Sequence, residues 1–293
     1  MIIILYYIGI QRMRTLAVST ALLGSTYSYT ASSKNSELSV TSTNPNSFAS
    51  STASSATSKS TTPTITHAHR YSTEYQKLFP NIIVIDSRAI KVLFTILRDE
   101  NTLHFDFSTA ADRLMSILAE EGLAYLPGVQ EKTVNTPCGI YHGLQELSSQ
   151  NLCAVSIVRA GDALLQSIRK IKPDIPVGKI LIQRNENTKE KFPQLFYVKL
   201  PNDIHNRTVI LVDPMLATGQ SAKLAIEELI NRGVPEEKIV FLNVVSCPEG
   251  ITILHNKFPK VKIITAAVDE GLNQNKYIVP GLGDFGDRYF GTD

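Results

Sequence analysis

Val209-Ile-Leu-Val-Asp213-Pro-Met-Leu-Ala-Thr218-Gly219-Gln220-Ser221 is the most telling stretch of this 293-residue chain. A β-branched apolar run ends in an acid, turns through small residues and opens a helix pattern, Ser221 to Arg232, closed by Gly233. Uninterrupted apolar runs of this length suit a strand buried on both faces. Small side chains at 217 to 219 let backbone N–H groups approach an anion, and the hydroxyls of Thr218 and Ser221 add donors. The positive end of the helix faces the same point, so the turn suits a monophosphate. The spacing GxxxxGK[ST] is absent and no lysine follows Gly219, which excludes a Walker triphosphate loop.

On either side lie further short apolar runs, at Ala154 to Val158, Lys179 to Gln183, Ile239 to Val245 and Val261 to Val268, with a helix pattern at Pro248 to Phe258. Ahead of them, Ile90, Leu93, Phe94 and Leu97 recur at helical spacing, as do Ala110, Leu114, Ile117, Leu118 and Glu121, with Gly122 expected to end that helix. Such alternation predicts an α/β fold, a mostly parallel twisted sheet flanked by helices. Ligands of open sheets bind beyond the carboxyl ends of the strands. Two arginines fall there: the first run ends in Arg159-Ala-Gly161-Asp162 and the second in Arg184-Asn-Glu186-Asn-Thr188. A guanidinium pairs two hydrogen bonds with a diphosphate and keeps its charge at any working pH. After the fifth run, Tyr277-Ile-Val-Pro-Gly-Leu-Gly-Asp284-Phe-Gly-Asp-Arg-Tyr-Phe-Gly-Thr292 has four glycines between 281 and 291, enough exposed backbone to read a small planar base. By composition alone a tail packed over the sheet is equally compatible with it.

The Asp213 to Ser221 stretch resembles the phosphoribosyl pyrophosphate (PRPP) motif of the type I phosphoribosyltransferases, in the form used by the uracil phosphoribosyltransferase family. Arg159-Ala-Gly161, Gln183-Arg184-Asn-Glu-Asn-Thr188 and the glycine-rich tail resemble further signatures of that family. So do Ile96-Leu97-Arg98-Asp99 and Glu120-Glu121-Gly122-Leu123, and the similarity runs from roughly Tyr75 to the C-terminus. The resemblance implies a type I phosphoribosyltransferase fold with a C-terminal base-binding hood. It implies PRPP contacts at Arg159, Arg184, Asp213, Pro214, Met215, Leu216, Ala217, Thr218, Gly219, Gln220, Ser221 and Asp284, and uracil contacts at Ile278, Gly283, Asp284 and Phe285. Asp213, Arg184 and Asp284 are the expected catalytic set, with Asp213 on the ribose hydroxyls and the arginines on the leaving diphosphate. Mg2+ is expected to arrive mainly on PRPP, with no protein side chain assigned to it. A homo-oligomer and a GTP effector are further family expectations. Gln220 stands where the family commonly carries glycine or another small residue, Cys138 interrupts a Thr-Pro-Thr-Gly pattern, and residues 189–194 replace a shorter stretch. Residues 184 to 196 are the expected lid over PRPP.

Composition limits the alternatives. The chain carries 29 Lys+Arg and 27 Asp+Glu, and residues 1–66 hold four basic side chains against Glu37, so the remainder has a net charge of −1. No whole-domain field favours nucleic acid or an anionic membrane, which leaves small molecules as the expected partners. Three cysteines, Cys138, Cys153 and Cys247, without CxxC spacing, disfavour a disulfide framework or a zinc site and fit a reducing compartment. From Ser19 to Thr66 Ser and Thr dominate, so residues 1–66 are expected to be a disordered extension or targeting segment and 67–293 the folded domain. The runs Ile2 to Ile10 and Thr15 to Leu23 are too short to cross a bilayer. A cytoplasmic protein is expected, or a plastid or mitochondrial one if residues 1–66 act as a transit peptide. The competing reading is a non-catalytic phosphoribosyltransferase-like binding or regulatory protein; an RNA-binding regulator would need a basic stripe that the body charge does not suggest.

Overall fold

The computed structural model describes residues 77–184 and 193–292, with the backbone alone at Arg184. Residues 1–66 and the expected boundary at 66/67 lie outside the described residues.

Strand β1 (Ile82–Val84) leads into α1 (Arg88–Arg98) and α2 (His104–Ala124), followed by the hairpin β2 (Gln130–Thr136) and β3 (Gly139–Gln145). Next come β4 (Leu152–Val158), α3 (Gly161–Ile171), β5 (Val177–Arg184), β6 (Pro193–Lys199), β7 (Thr208–Val212) and β8 (Met215–Leu216). The chain continues through α4 (Gln220–Asn231), β9 (Ile239–Ser246), α5 (Pro248–Lys257) and β10 (Lys262–Val268), and ends in β11 (Gly271–Leu272), β12 (Ile278–Val279) and α6 (Phe285–Phe290). The main sheet runs β1-β10-β9-β7-β4-β5-β6 with β8 beside β9. Every pairing in it is parallel except β5 with β6. This is the mostly parallel, helix-flanked sheet expected from the sequence, with the five apolar runs as its central strands.

Strand alternation sends successive side chains to opposite faces, and both faces are covered. Leu152, Ala154, Ile210, Val212, Val240 and Leu242 pack under α1, α2 and α3. Cys153, Val155, Val209, Leu211, Ile239 and Phe241 meet Ala222, Ala225, Ile226 and Leu229 of α4 and Ile251 and Leu254 of α5. Ser87 caps α1 by accepting from the Ala89 N–H at 3.2 Å. Gly233, at φ 85°, stops α4 as expected.

Gly122 does not end α2, which continues to Ala124. Here the glycine permits close packing: a Cβ would sit 2.9 Å from the Leu242 side chain of β9. The expected lid also shrinks, because residues 193–196 belong to β6 and pair with β5, with Gln183 opposite Gln194 and Arg184 opposite Pro193. Residues 185–192 lie outside the described residues. The β2–β3 hairpin was not anticipated; Cys138 sits in its turn, where the Thr136 hydroxyl donates to the Gly139 carbonyl at 3.0 Å. Ile140, Tyr141 and Leu144 on β3 are exposed.

Candidate active site

The turn after β7 and the C-terminal tail meet. A cavity of about 380 Å³ is lined by Asp213, Met215 to Ala222, Asn275 to Ile278 and Gly283 to Gly286, together with Ala160. Of the expected PRPP residues, Asp213, Met215, Leu216, Ala217, Thr218, Gly219, Gln220, Ser221 and Asp284 border it, and all four expected uracil residues do. Pro214 does not. It is buried, and its carbonyl accepts the N–H groups of Val244 and Val245 at 2.9 and 3.0 Å, so it anchors the turn to β9.

Three features shape the turn. Gly219 is the N-cap of α4 with φ 73°, a left-handed conformation that favours glycine. Its neighbour across the turn is Gly250 of α5, where a Cβ would lie 2.6 Å from the Ala217 carbonyl oxygen. The buried Cys247 thiol donates to that same carbonyl at 3.0 Å, and burial pushes its pKa up to about 12, so it acts as a neutral donor. Gln220 is the first residue of α4 and is absent from the left-handed positions, so its Cβ is accommodated without strain, and its side chain borders the cavity without closing it.

Asp213 is partly buried at the end of β7. Burial lifts its pKa to about 7, with Asp284 across the cavity adding negative charge and the Met215 N–H pulling the other way. Opposite Asp213, the β4–α3 turn approaches so closely that a Cβ on Gly161 would collide with the Val212 carbonyl oxygen. Asp162 fixes that turn by accepting from Ser156 Oγ and Lys179 Nζ, each at 2.5 Å.

Arg159 is placed differently from the expectation. Ala160 lines the cavity, whereas the Arg159 guanidinium donates to Asp287 Oδ1 at 2.6 Å and to the Thr292 hydroxyl at 2.7 Å. Asp287 is held below the usual carboxylate range, chiefly by that hydrogen bond from Arg159. Arg184 closes β5 at the same sheet edge, and its side chain lies outside the described atoms. Peptide bonds Val158–Arg159 and Val279–Pro280 are cis.

The tail is clamped from below. Arg98 forms a two-pronged pair with Asp269, both contacts 2.7 Å, and donates to the Gly281 carbonyl at 2.8 Å. The Gly281 N–H returns to Asp269 at 2.9 Å. Arg288 donates to the carbonyls of Leu97, Leu282 and Asp99 at 2.6 to 2.7 Å, and its guanidinium lies 4.3 Å from the Phe107 ring centroid. Phe285 is 1% exposed, edge-on to Phe107 and stacked on Tyr289, whose hydroxyl donates to Asp112 at 2.6 Å. Helices α1 and α2 thereby carry the hood. Ala160, Asn275, Lys276, Tyr277 and Gly286 also line the cavity without having been singled out from the sequence. For Ala160, Tyr277 and Gly286 the signal was adjacency to an expected site residue, whereas Asn275 and Lys276 are brought in by the β11–β12 hairpin.

A mostly parallel sheet, a phosphate-type turn at its carboxyl edge and a glycine-rich hood facing it define a type I phosphoribosyltransferase. The solved structure of the AQ2163 protein from Aquifex aeolicus is similar, with a TM-score of 0.60 and 30% identity over 71% of this chain and 97% of that one. The sequence profile described as uracil phosphoribosyltransferase matches residues 84–292. The uracil phosphoribosyltransferase of Dictyostelium discoideum is 49% identical over 73% of this chain and 97% of its own length. That of Saccharomyces cerevisiae is 48% identical over 72% and 97%. The chain belongs to the uracil phosphoribosyltransferase family.

Proposed function

We propose that this chain transfers the phosphoribosyl group of PRPP to N1 of uracil, giving UMP and pyrophosphate in pyrimidine salvage. The observation that carries the reading is the single cavity walled by the Asp213–Ala222 turn on one side and the Asn275–Gly286 tail on the other. The turn suits the 5′-phosphate: Gly219 opens the backbone, Thr218 and Ser221 add hydroxyls, and α4 aims its positive end at the site. Asp213 would hold the ribose hydroxyls, where its negative charge favours the cationic character that grows as the anomeric bond breaks. Arg159 would exchange Asp287 for the departing diphosphate, joined by Arg184 from the end of β5. Uracil would lie against Ile278 and Gly283 to Phe285; with the Phe285 ring buried, that residue has main-chain groups to offer. A main-chain N–H aimed at the 4-oxygen would reject cytosine, which presents an amino group there. Positioning supplies most of the acceleration.

Mg2+ dependence is part of this proposal. The ion would arrive on PRPP and lie near the carboxyl groups of Asp213 and Asp284, which border the cavity. When bound, it would neutralise diphosphate charge. A homo-oligomer is supported by the exposed Ile140, Tyr141 and Leu144 of the β2–β3 hairpin. GTP responsiveness rests on the family resemblance alone. Among the described residues no helix is long and apolar enough to cross a membrane, and a cytoplasmic or organellar setting is proposed from the sequence.

The test is UMP formation by the full chain from uracil, PRPP and Mg2+, repeated with cytosine, without Mg2+, with GTP and with Asp213→Asn. Uracil-specific turnover abolished by Asp213→Asn supports the reading. Tight PRPP binding without turnover would favour the non-catalytic alternative instead.

A further inference from the structure

The cavity presents two carboxylates, Asp213 and Asp284, to a substrate that is itself an anion, and it needs positive charge to offset them. Among the described side chains lining it, Lys276 alone is cationic. Arg159 lies outside this lining, already engaged by Asp287 and Thr292. Lys276 has a second peculiarity: it is the only non-glycine among the described residues with positive φ, at 64°. A left-handed backbone disfavours an L residue, and glycine would adopt it freely. Such outliers persist where the surrounding structure enforces them, and they cluster at ligand sites.

The enforcement is visible. Asn273 Oδ1 accepts the N–H groups of Asn275 and Tyr277 at 2.9 and 3.0 Å, and the Lys276 N–H donates to the Asn273 carbonyl at 2.9 Å. Strands β11 and β12 pair through Gly271 with Val279 and Leu272 with Ile278. Glu249 of α5 holds the base of the hairpin by accepting the Leu272 N–H at 3.0 Å. The result is a braced hairpin whose tip stands over the phosphate turn, with Ile278 of the base site two residues along the chain.

We infer that Lys276 is a phosphate-binding residue, its ammonium contacting the 5′-phosphate of PRPP held by Ala217 to Ser221 and linking that site to the uracil site on the same hairpin. This deepens the proposed reaction and rests on it for the identity of the substrate. A lysine suits the task, as a compact charge on a flexible stem that reaches a phosphate from an exposed position.

The left-handed backbone supplies a clean variant. Lys276→Gly removes the ammonium at a φ that glycine accepts, so the turn is preserved and the melting temperature should hold. Calorimetric titration of the full chain with PRPP, and with ribose 5-phosphate, should show affinity weakened about fivefold in Lys276→Gly and within about twofold of the parent in Lys276→Arg. Ribose 5-phosphate affinity that is the same in all three proteins overturns the assignment, as does a loss that arginine fails to restore. Because titration needs no turnover, a protein that binds PRPP through Lys276 but forms no UMP refutes the proposed reaction and leaves this assignment standing. UMP formation with undiminished affinity in Lys276→Gly refutes this assignment alone, and a parent protein that binds no PRPP refutes both.

Discussion

Asp213→Asn should make the ligand-free protein more stable at alkaline pH while removing its activity. Burial lifts the folded-state pKa of Asp213 to about 7, from an ordinary value of 3.8. The folded protein therefore holds a proton that the unfolded chain has released between those two values, and stability falls as pH rises through that window. A shift of about three units corresponds to about 4 kcal/mol. The carboxylate borders an open cavity, where solvent screens part of the penalty, so about 2 kcal/mol is the working figure. For a folded region of this size that is a rise of about 4 to 8 °C in melting temperature. Scanning calorimetry of ligand-free parent and variant from pH 4 to 8.5 measures it. The variant should melt higher at pH 8.5, the gap should close toward pH 4, and the stabilisation that PRPP gives the parent should disappear in the variant. A gap independent of pH, or a parent that is the more stable at pH 8.5, would refute the claim that this acid is held at a desolvated anion site.

Four other substitutions probe different parts of the site. Arg98→Met leaves Asp269, 6% exposed, without its partner, and should cost about 3 kcal/mol in urea denaturation while raising the KM for uracil more than that for PRPP. Gly250→Ala drives a methyl group toward the Ala217 carbonyl and should cost about 1 to 3 kcal/mol, with PRPP titration reading a larger loss than uracil binding. Asp287→Asn frees Arg159 from its ion pair, so PRPP should bind about two- to threefold tighter, whereas Arg159→Ala should weaken it by about tenfold or more. Equal PRPP affinity in both variants would show that the arginine never leaves the tail.

The sheet was legible because its central strands are buried on both faces, and continuous apolar runs such as Val209 to Val212 announce that directly. Strands that lack this signature escaped notice. All seven residues of β2 are exposed, and β6 alternates as an antiparallel edge. Gly122 was misread because a glycine near the end of a helical pattern looks like a terminator, and only the position of Leu242 on a strand 120 residues away shows why it sits there. In the site, the phosphate turn and the tail could be read locally, since motif and backbone requirement coincide in one segment. Pro214 and Arg159 could not. Whether a motif residue faces the ligand or braces the turn depends on β9 and on α6, neither of which is its neighbour in sequence.

One wall of the cavity follows every strand of the main sheet in chain order, yet it docks on α1 and α2, which precede all of those strands but β1. During synthesis the sheet and its phosphate turn can form on emerging from the ribosome, but the base site has to wait for residues 278 to 285, which are translated after them. A message cut short after β10 would therefore yield a product with most of its core and no place for a pyrimidine, and a bulky peptide fused after Thr292 would sit next to Arg159.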